Sequence, residues 1–260
     1  MPKPKIGIQL ASLKMPLRQA LTIAQRLGAD GVEIDARSGL SAAELSQTGI
    51  RQIRKLLDDL NLKVTALAYP TRRGYDVPDE IERRVAGTKS AMKLARDLGT
   101  DVVINDVGRI PAESEGPQWQ LLLDVLTDLG RHGLHVGARL AADTGSVSGP
   151  ELLRLLQALP PASIGVNFNP GQLIVNGHSA LETAETVGAE IVHVHAQDGV
   201  RDLARGRGIE VELGRGSVDF PNLLGLLEER EYRGYLTVLR HHASDPVGEL
   251  RLAIEYLHNL

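Results

Sequence analysis

Leu27-Gly28-Ala29-Asp30-Gly31-Val32-Glu33-Ile34-Asp35 ends one kind of structure and begins another. A helix leaves through Gly28, a residue able to take the left-handed turn that closes helices. The apolar run Gly31–Asp35 follows as a strand with polar groups at its far end. The same grammar recurs at Leu98-Gly99 and Val187-Gly188, each glycine preceding a strand. Working outward, short β-branched runs alternate with longer stretches of i, i+3, i+4 spacing. The predicted strands are Lys5–Leu10, Gly31–Asp35, Lys63–Tyr69, Asp101–Asp106, His135–Ala142, Ile164–Asn169, Ile191–Asp198 and Tyr235–Arg240. Helical spacing covers Ala42–Leu60 and Pro78–Leu98, and Leu121, Leu122, Val125, Leu126 and Leu129 form a third apolar stripe. Ser41, with Glu44 three residues on, has capping-box spacing. Eight strands alternating with helices favour an α/β fold, a single (β/α)8 TIM barrel over residues 1–260. An open doubly wound sheet would carry a glycine fingerprint after its first strand. Ala11-Ser12-Leu13-Lys14 stands there instead.

Composition narrows the function. The 260 residues are 42% hydrophobic, with one Trp, two Phe and five Tyr, so aliphatic side chains must fill the core. Lys and Arg number 29 against 33 Asp and Glu, a formal charge of −4 that gives no reason to expect nucleic acid or an anionic membrane as partner. Cysteine is absent, which excludes disulfides, thiolate nucleophiles and cysteine-held metals. No apolar run approaches the ~20 residues of a membrane span. Met1-Pro2-Lys3-Pro4-Lys5 runs straight into a strand, not a signal-peptide core, so a soluble, cytoplasmic protein is expected.

In a barrel of this kind the chemistry sits at the C-terminal ends of the strands. His193 and His195, two apart on the seventh strand, share a face, with Asp198 three residues further on. Two histidines bonded within a barrel layer are the bland alternative. Asp143 ends the fifth strand, where it can also cap the Thr144-Gly145 turn. Glu33 and Asp35 share a face and could pair with Arg37 or Lys63, and Asn105 ends the fourth strand. The longest irregular stretch, Gly199–Ser217, carries Arg201, Arg205, Arg207 and Arg215 among glycines. Such a loop either binds an anion or pairs its charges internally in solvent. Adjacent His241 and His242 point to opposite faces and read as surface residues.

These residues together resemble the xylose-isomerase-like TIM-barrel family, which includes sugar-phosphate isomerases and epimerases, inosose dehydratases and endonuclease-IV-type enzymes. The markers are Leu27–Glu33, His193–Asp198, Leu213-Gly214-Arg215-Gly216-Ser217-Val218-Asp219-Phe220 and Tyr232–Val238. The resemblance implies a divalent metal (Mn, Mg, Co or Zn) held by a Glu, an Asp, a His and a second Glu, the two glutamates shuttling a proton. Carried over position by position, the first Glu falls on Asp143, the Asp on Asn169, the His on His195 and the last Glu on Leu239. Gln197 stands where the family often has Lys. At most one carboxylate, one imidazole and one amide remain, a poor set for hard cations. A weak metal at Asp143, Asn169 and His195, or none, is expected.

Two functions of different class are consistent with this reading. One is an isomerase or epimerase of a sugar, keto-sugar or polyol derivative in carbohydrate metabolism. Its catalytic residues would be Asp143, His195 and Glu33, and its substrate-binding residues His193, Asp198, Asn105, Arg205, Arg207 and Arg215. The other is a metal-free barrel that binds a sugar, sugar acid or sugar phosphate, or serves as a partner subunit, without turnover. The resemblance also implies a homodimer or tetramer. The endonuclease branch needs a multi-metal cluster and a basic face, neither of which this chain supplies.

Overall fold

Gly28 takes φ 79° and Gly99 φ 89°, so both helices end in the left-handed turn predicted for them. Gly188 does not: at φ −55° it continues into a short 3-10 turn, Gly188–Glu190, before the strand begins. The computed structural model describes residues 4–40, 45–202 and 207–260, so the Ser41–Glu44 capping box and Arg205 lie outside the described residues. Among these are ten strands: β1 Lys5–Gln9, β2 Gly31–Asp35, β3 Lys63–Ala68, β4 Val102–Asn105, β5 Arg139–Asp143, β6 Gly165–Phe168, β7 Ile191–Ala196, β8 Asp198–Val200, β9 Ile209–Val211 and β10 Tyr235–Val238. The helices are α1 Leu17–Arg26, α2 Gln47–Asp59, α3 Ile81–Leu98, α4 Pro117–Val136, α5 Gly149–Ala158, α6 Pro170–Val175, α7 Ala180–Val187, α8 Phe220–Glu229 and α9 Pro246–His258.

Eight of the strands close a parallel barrel in the order β1-β10-β7-β6-β5-β4-β3-β2. The seam pairs Lys5 with Tyr235 and Ile8 with Val238. β4 and β6 are buried at every residue, as parallel strands covered on both faces should be. The main core lies between the strands and the surrounding helices, where Leu21, Met92, Leu122, Leu126, Leu140 and Phe168 are fully enclosed. A smaller apolar cluster, Ala66, Val102, Ile104 and Ala141, packs apart from it. The space inside the barrel is narrow. A Cβ on Gly7 would stand 2.8 Å from both Thr237 and Thr65, so glycine is required there.

Two expectations fail at the element boundaries. The fifth strand starts at Arg139, not His135, because α4 runs through Val136 and ends on Gly137 at φ 75°. Gly199–Ser217 is not wholly irregular: β8 and β9 pair as an antiparallel hairpin, Asp198 opposite Val211 and Val200 opposite Ile209. Capping side chains account for several helix starts. Ser148 and Glu151 form a reciprocal capping box on α5, and Ser46, Asn169, Asp219 and Asp245 cap α2, α6, α8 and α9. No helix among the described residues is long and apolar enough to cross a membrane.

Candidate active site

Strand register creates the site. Asp143 on β5 pairs with Asn167 on β6, which pairs with His193 on β7, and His195 pairs with Thr237 on β10. Inward-facing polar side chains of neighbouring strands therefore lie side by side. Asn167 is the link. Its Nδ2 donates to Asp143 Oδ1 at 2.6 Å and lies 2.9 Å from His195 Nδ1, while its Oδ1 faces His193 Nδ1 at 2.8 Å. His195 Nε2 donates to Glu33 Oε2 at 2.5 Å. Because β1 and β10 separate β2 from β7 in the sheet, that bond crosses the barrel interior. Gln9 donates to the other Glu33 oxygen at 2.8 Å, which completes a chain from Asp143 to Gln9.

Burial and charge set the proton affinities of this chain. Burial pushes Glu33 up, but the His195 charge and hydrogen bond outweigh it and hold the carboxyl below its usual range. Burial pulls His195 down, yet Glu33, its hydrogen bond and Asp143 raise it above an ordinary histidine. Asp143 is pushed up to about 6 by burial, with His195 and Asn167 opposing and Asp106 and Glu33 adding to the rise. One third of its side-chain surface stays open, so solvent tempers that shift. His193 is pulled down to about 3 by burial and by the neighbouring His195 charge.

A cavity of about 530 Å³ opens over this chain at the C-terminal mouth. Asp143, His195 and Glu33 all reach its wall, as do Asn105, Asn169, Arg207 and Leu239. Other expected residues have different work. His193 is buried below the cavity, with Nε2 against Thr237 Oγ1 at 2.9 Å, so both its nitrogens are occupied within the barrel. Asp198 is equally buried, and its two oxygens accept the backbone N–H groups of Gly199, Gly214, Gly216 and Val218. It shapes the seventh loop and does not line the cavity. Arg215 is exposed and pairs with Glu212 at 2.9 Å, the internal loop pairing foreseen as the alternative. Glu33 pairs with His195 and Gln9, not with Arg37 or Lys63, and Asp143 bonds Asn167 and leaves the Thr144 turn alone.

Four residues at or beside the cavity were not assigned to the site from the sequence: Asn167, Gln197, Glu210 and His241. Asn167 was hidden inside an apolar-looking strand, although its place two residues before Asn169 puts it on the inward face. His241, read as surface, lines the cavity. Asn105 accepts from the Thr71 N–H at 3.2 Å and donates to Tyr75 Oη at 2.8 Å, so both ends of its amide are already held.

The four positions that the resemblance pairs with metal ligands do not fit a divalent ion. Leu239 offers only carbon. Asn169 is neutral, and its Oδ1 accepts the Gln172 N–H as the cap of α6. Both His195 nitrogens are engaged, leaving Asp143 with one oxygen that no group among the described residues bonds. A different set, Glu33, His193 and His195, places one ligand atom each within 4.8 Å. The 2.5 Å between its Glu33 and His195 atoms is a hydrogen bond. Two ligands at ~2.1 Å from one tetrahedral ion would stand roughly 3.4 Å apart.

Residues 21–260 match the model of the xylose isomerase-like TIM barrel family. The chain superposes on a xylose isomerase domain protein from Planctomyces limnophilus with a TM-score of 0.88, at 25% identity over 99% of this chain and 97% of that one. It is 26% identical to the rhizopine catabolism protein MocC of Rhizobium meliloti, over 86% of this chain and 74% of MocC. It is 22% identical to an inosose dehydratase of Clostridium beijerinckii, over 73% of this chain and 72% of that protein. A closed eight-stranded parallel barrel, a polar chain at its C-terminal mouth and a match over nearly the whole length agree: the chain belongs to the xylose isomerase-like TIM barrel family.

Proposed function

We propose that this protein moves a proton at a carbon beside the carbonyl of a polyhydroxylated ketone, without a metal ion, as an isomerase, epimerase or dehydratase. The observation that carries the reading is Asp143. It has one oxygen fixed by Asn167, the other without a partner among the described residues, a pKa near the working range and an open face on the cavity. Its carboxylate takes the proton, and the C–H electron pair moves through the new C=C bond onto the carbonyl oxygen. A proton delivered to the opposite face by solvent water gives the epimer, and Asp143 releases its own proton to solvent. Protonation of a β-hydroxyl by the protonated Asp143, with its loss as water, gives the dehydration that the name of the Clostridium relative describes. Asn167 and His195 act through Asp143 as positioning residues: Asn167 fixes its rotamer, both oppose further rise of its pKa, and Glu33 holds His195 in place.

The test is proton exchange. The protein is incubated in D2O with an inosose or a ketose, with and without EDTA, and loss of the α-proton signal is followed by NMR. Exchange is expected in both buffers and is abolished in Asp143→Asn. EDTA-sensitive exchange, or exchange that survives in Asp143→Asn, overturns the reading. Leu239 at the mouth favours a second reading, a barrel that holds such a ligand without turnover. Saturable binding with no exchange would establish that one.

A further inference from the structure

Gln197, just beyond β7, is 1% exposed and belongs to no part of the Asp143 chain. Its Nε2 lies 2.6 Å from Glu210 Oε1 and 3.1 Å from His241 Nδ1. Its Oε1 is buried and has no hydrogen-bond partner among the described residues. Glu210, on β9, is also enclosed, its side chain 5% exposed. It accepts the backbone N–H groups of His241 and His242 and faces Arg240 Nη1 at 3.3 Å.

These contacts leave no freedom in the hydrogens. A carboxylate held by an arginine and two backbone N–H groups only accepts. The Gln197 amide must therefore turn its NH2 toward Glu210, since the flipped amide would set Oε1 against the carboxylate. The orphaned Oε1 is the cost of that orientation. One amide hydrogen goes to Glu210 and the other meets His241 Nδ1, which must then present a lone pair. A neutral imidazole with a bare Nδ1 carries its hydrogen on Nε2.

We propose that His241 is a second ligand-facing group of this site: a neutral imidazole locked in its Nε2–H form by Glu210 through Gln197, offering a fixed hydrogen-bond donor to a ligand oxygen. The ring lines the cavity, its side chain is 48% exposed, and no residue among those described bonds its Nε2. Burial lowers its pKa; Glu210 and Glu33 pull upward, while His195 and His242 lower it further, and the net direction is down. Arg240, the remaining charge beside it, is occupied by Glu210 and by Glu249 at 2.7 Å. The ligand class, a carbonyl that becomes an enolate, rests on the proton-transfer reading above. The locked tautomer does not.

Long-range 1H–15N spectra of protein labelled at histidine decide it, with His241→Asn supplying the assignment. At pH 7 His241 is expected with Nε2 protonated and Nδ1 bare. In Glu210→Gln the amide is free to flip, and the ring is expected to shift toward a mixture of forms. A His241 found as the Nδ1–H form or as imidazolium overturns the proposal, and so does an unchanged tautomer in Glu210→Gln. As a second readout, an inosose is titrated against wild type, His241→Leu and His241→Gln. A roughly tenfold weaker Kd in His241→Leu, restored by the side-chain N–H of His241→Gln, is expected; equal affinity of all three removes the donor role. Failure of wild type to bind the inosose counts against the ketone reading alone, because the tautomer is read without ligand.

Discussion

Asp143 works against stability where it works for chemistry. A carboxyl raised from 3.8 to about 6 binds its proton more tightly in the folded chain than in the unfolded one. Its contribution is therefore fully present below about pH 4 and lost as pH rises through about 6. Asp143→Asn keeps the oxygen that accepts from Asn167 and removes the charge. This variant is expected to melt higher than wild type at pH 8, to match it near pH 4, and to lack activity throughout; a lower Tm at pH 8 would contradict the assignment. Wild-type kcat/KM should rise through an acid limb near pH 6, since the base form is the carboxylate. Asp198 serves the fold: its four backbone N–H partners need an acceptor with two full oxygens. Asp198→Asn turns an NH2 toward two of them and is expected to cost about 2–4 kcal/mol in urea unfolding. His195 and Asp143 were picked from their places at strand ends, and both line the cavity. Asp198 was misread because a carboxylate beside a histidine in sequence looks like a partner, whereas its bonds lie with glycine N–H groups some sixteen residues away.

The mouth loops hold one another at the level of elements. A Cβ on Gly74, between β3 and α3, would lie 2.0 Å from the Gly108 Cα, between β4 and α4, and Gly108 itself sits at φ 96°. The Tyr75 N–H donates to Val107 O at 2.8 Å beside this crossing, and the Tyr75 hydroxyl holds Asn105. Gly74→Ala forces the two loops apart and is expected to destabilise the protein by about 1–3 kcal/mol, measured as a lower urea midpoint. A neutral effect would mean that the loops slide freely. Element types were readable because β-branched runs and helical stripes differ in period. The boundaries that slipped did so for local reasons: the apolar tail of α4 looked like the start of β5 until Gly137 was seen to break it. The β8–β9 hairpin is three residues a strand, too short for any period to register.

For the whole molecule, closure of the barrel puts a histidine where water cannot reach it. His193, pulled from 6.5 to about 3, stays neutral when folded but takes a proton in the unfolded chain. Its contribution is present above pH 6.5 and lost as pH falls toward 3, with a slope approaching about 1.4 kcal/mol per unit. Asp143 takes up its proton over part of this range and offsets the loss, so the decline is read in Asp143→Asn protein, whose urea midpoints should drop steadily from pH 6.5 to pH 4. His193→Gln, which keeps an amide for Asn167, should flatten that decline; an unchanged profile would show that His193 is not the source. The barrel itself could be foreseen from alternation alone, but the chain across its interior could not, because Glu33 and His195 lie 162 residues apart and meet only when the sheet curls shut. Closure also has a schedule. β1 needs β10 for its outer edge, and Ile8 meets Val238 about 230 residues later. At a ribosome's pace of ~5–20 residues per second, the first strand waits roughly 10–50 s with half its N–H and C=O groups unclaimed. During synthesis this protein is an open sheet with a sticky margin, and the interval before its last strand emerges is when a chaperone would matter most.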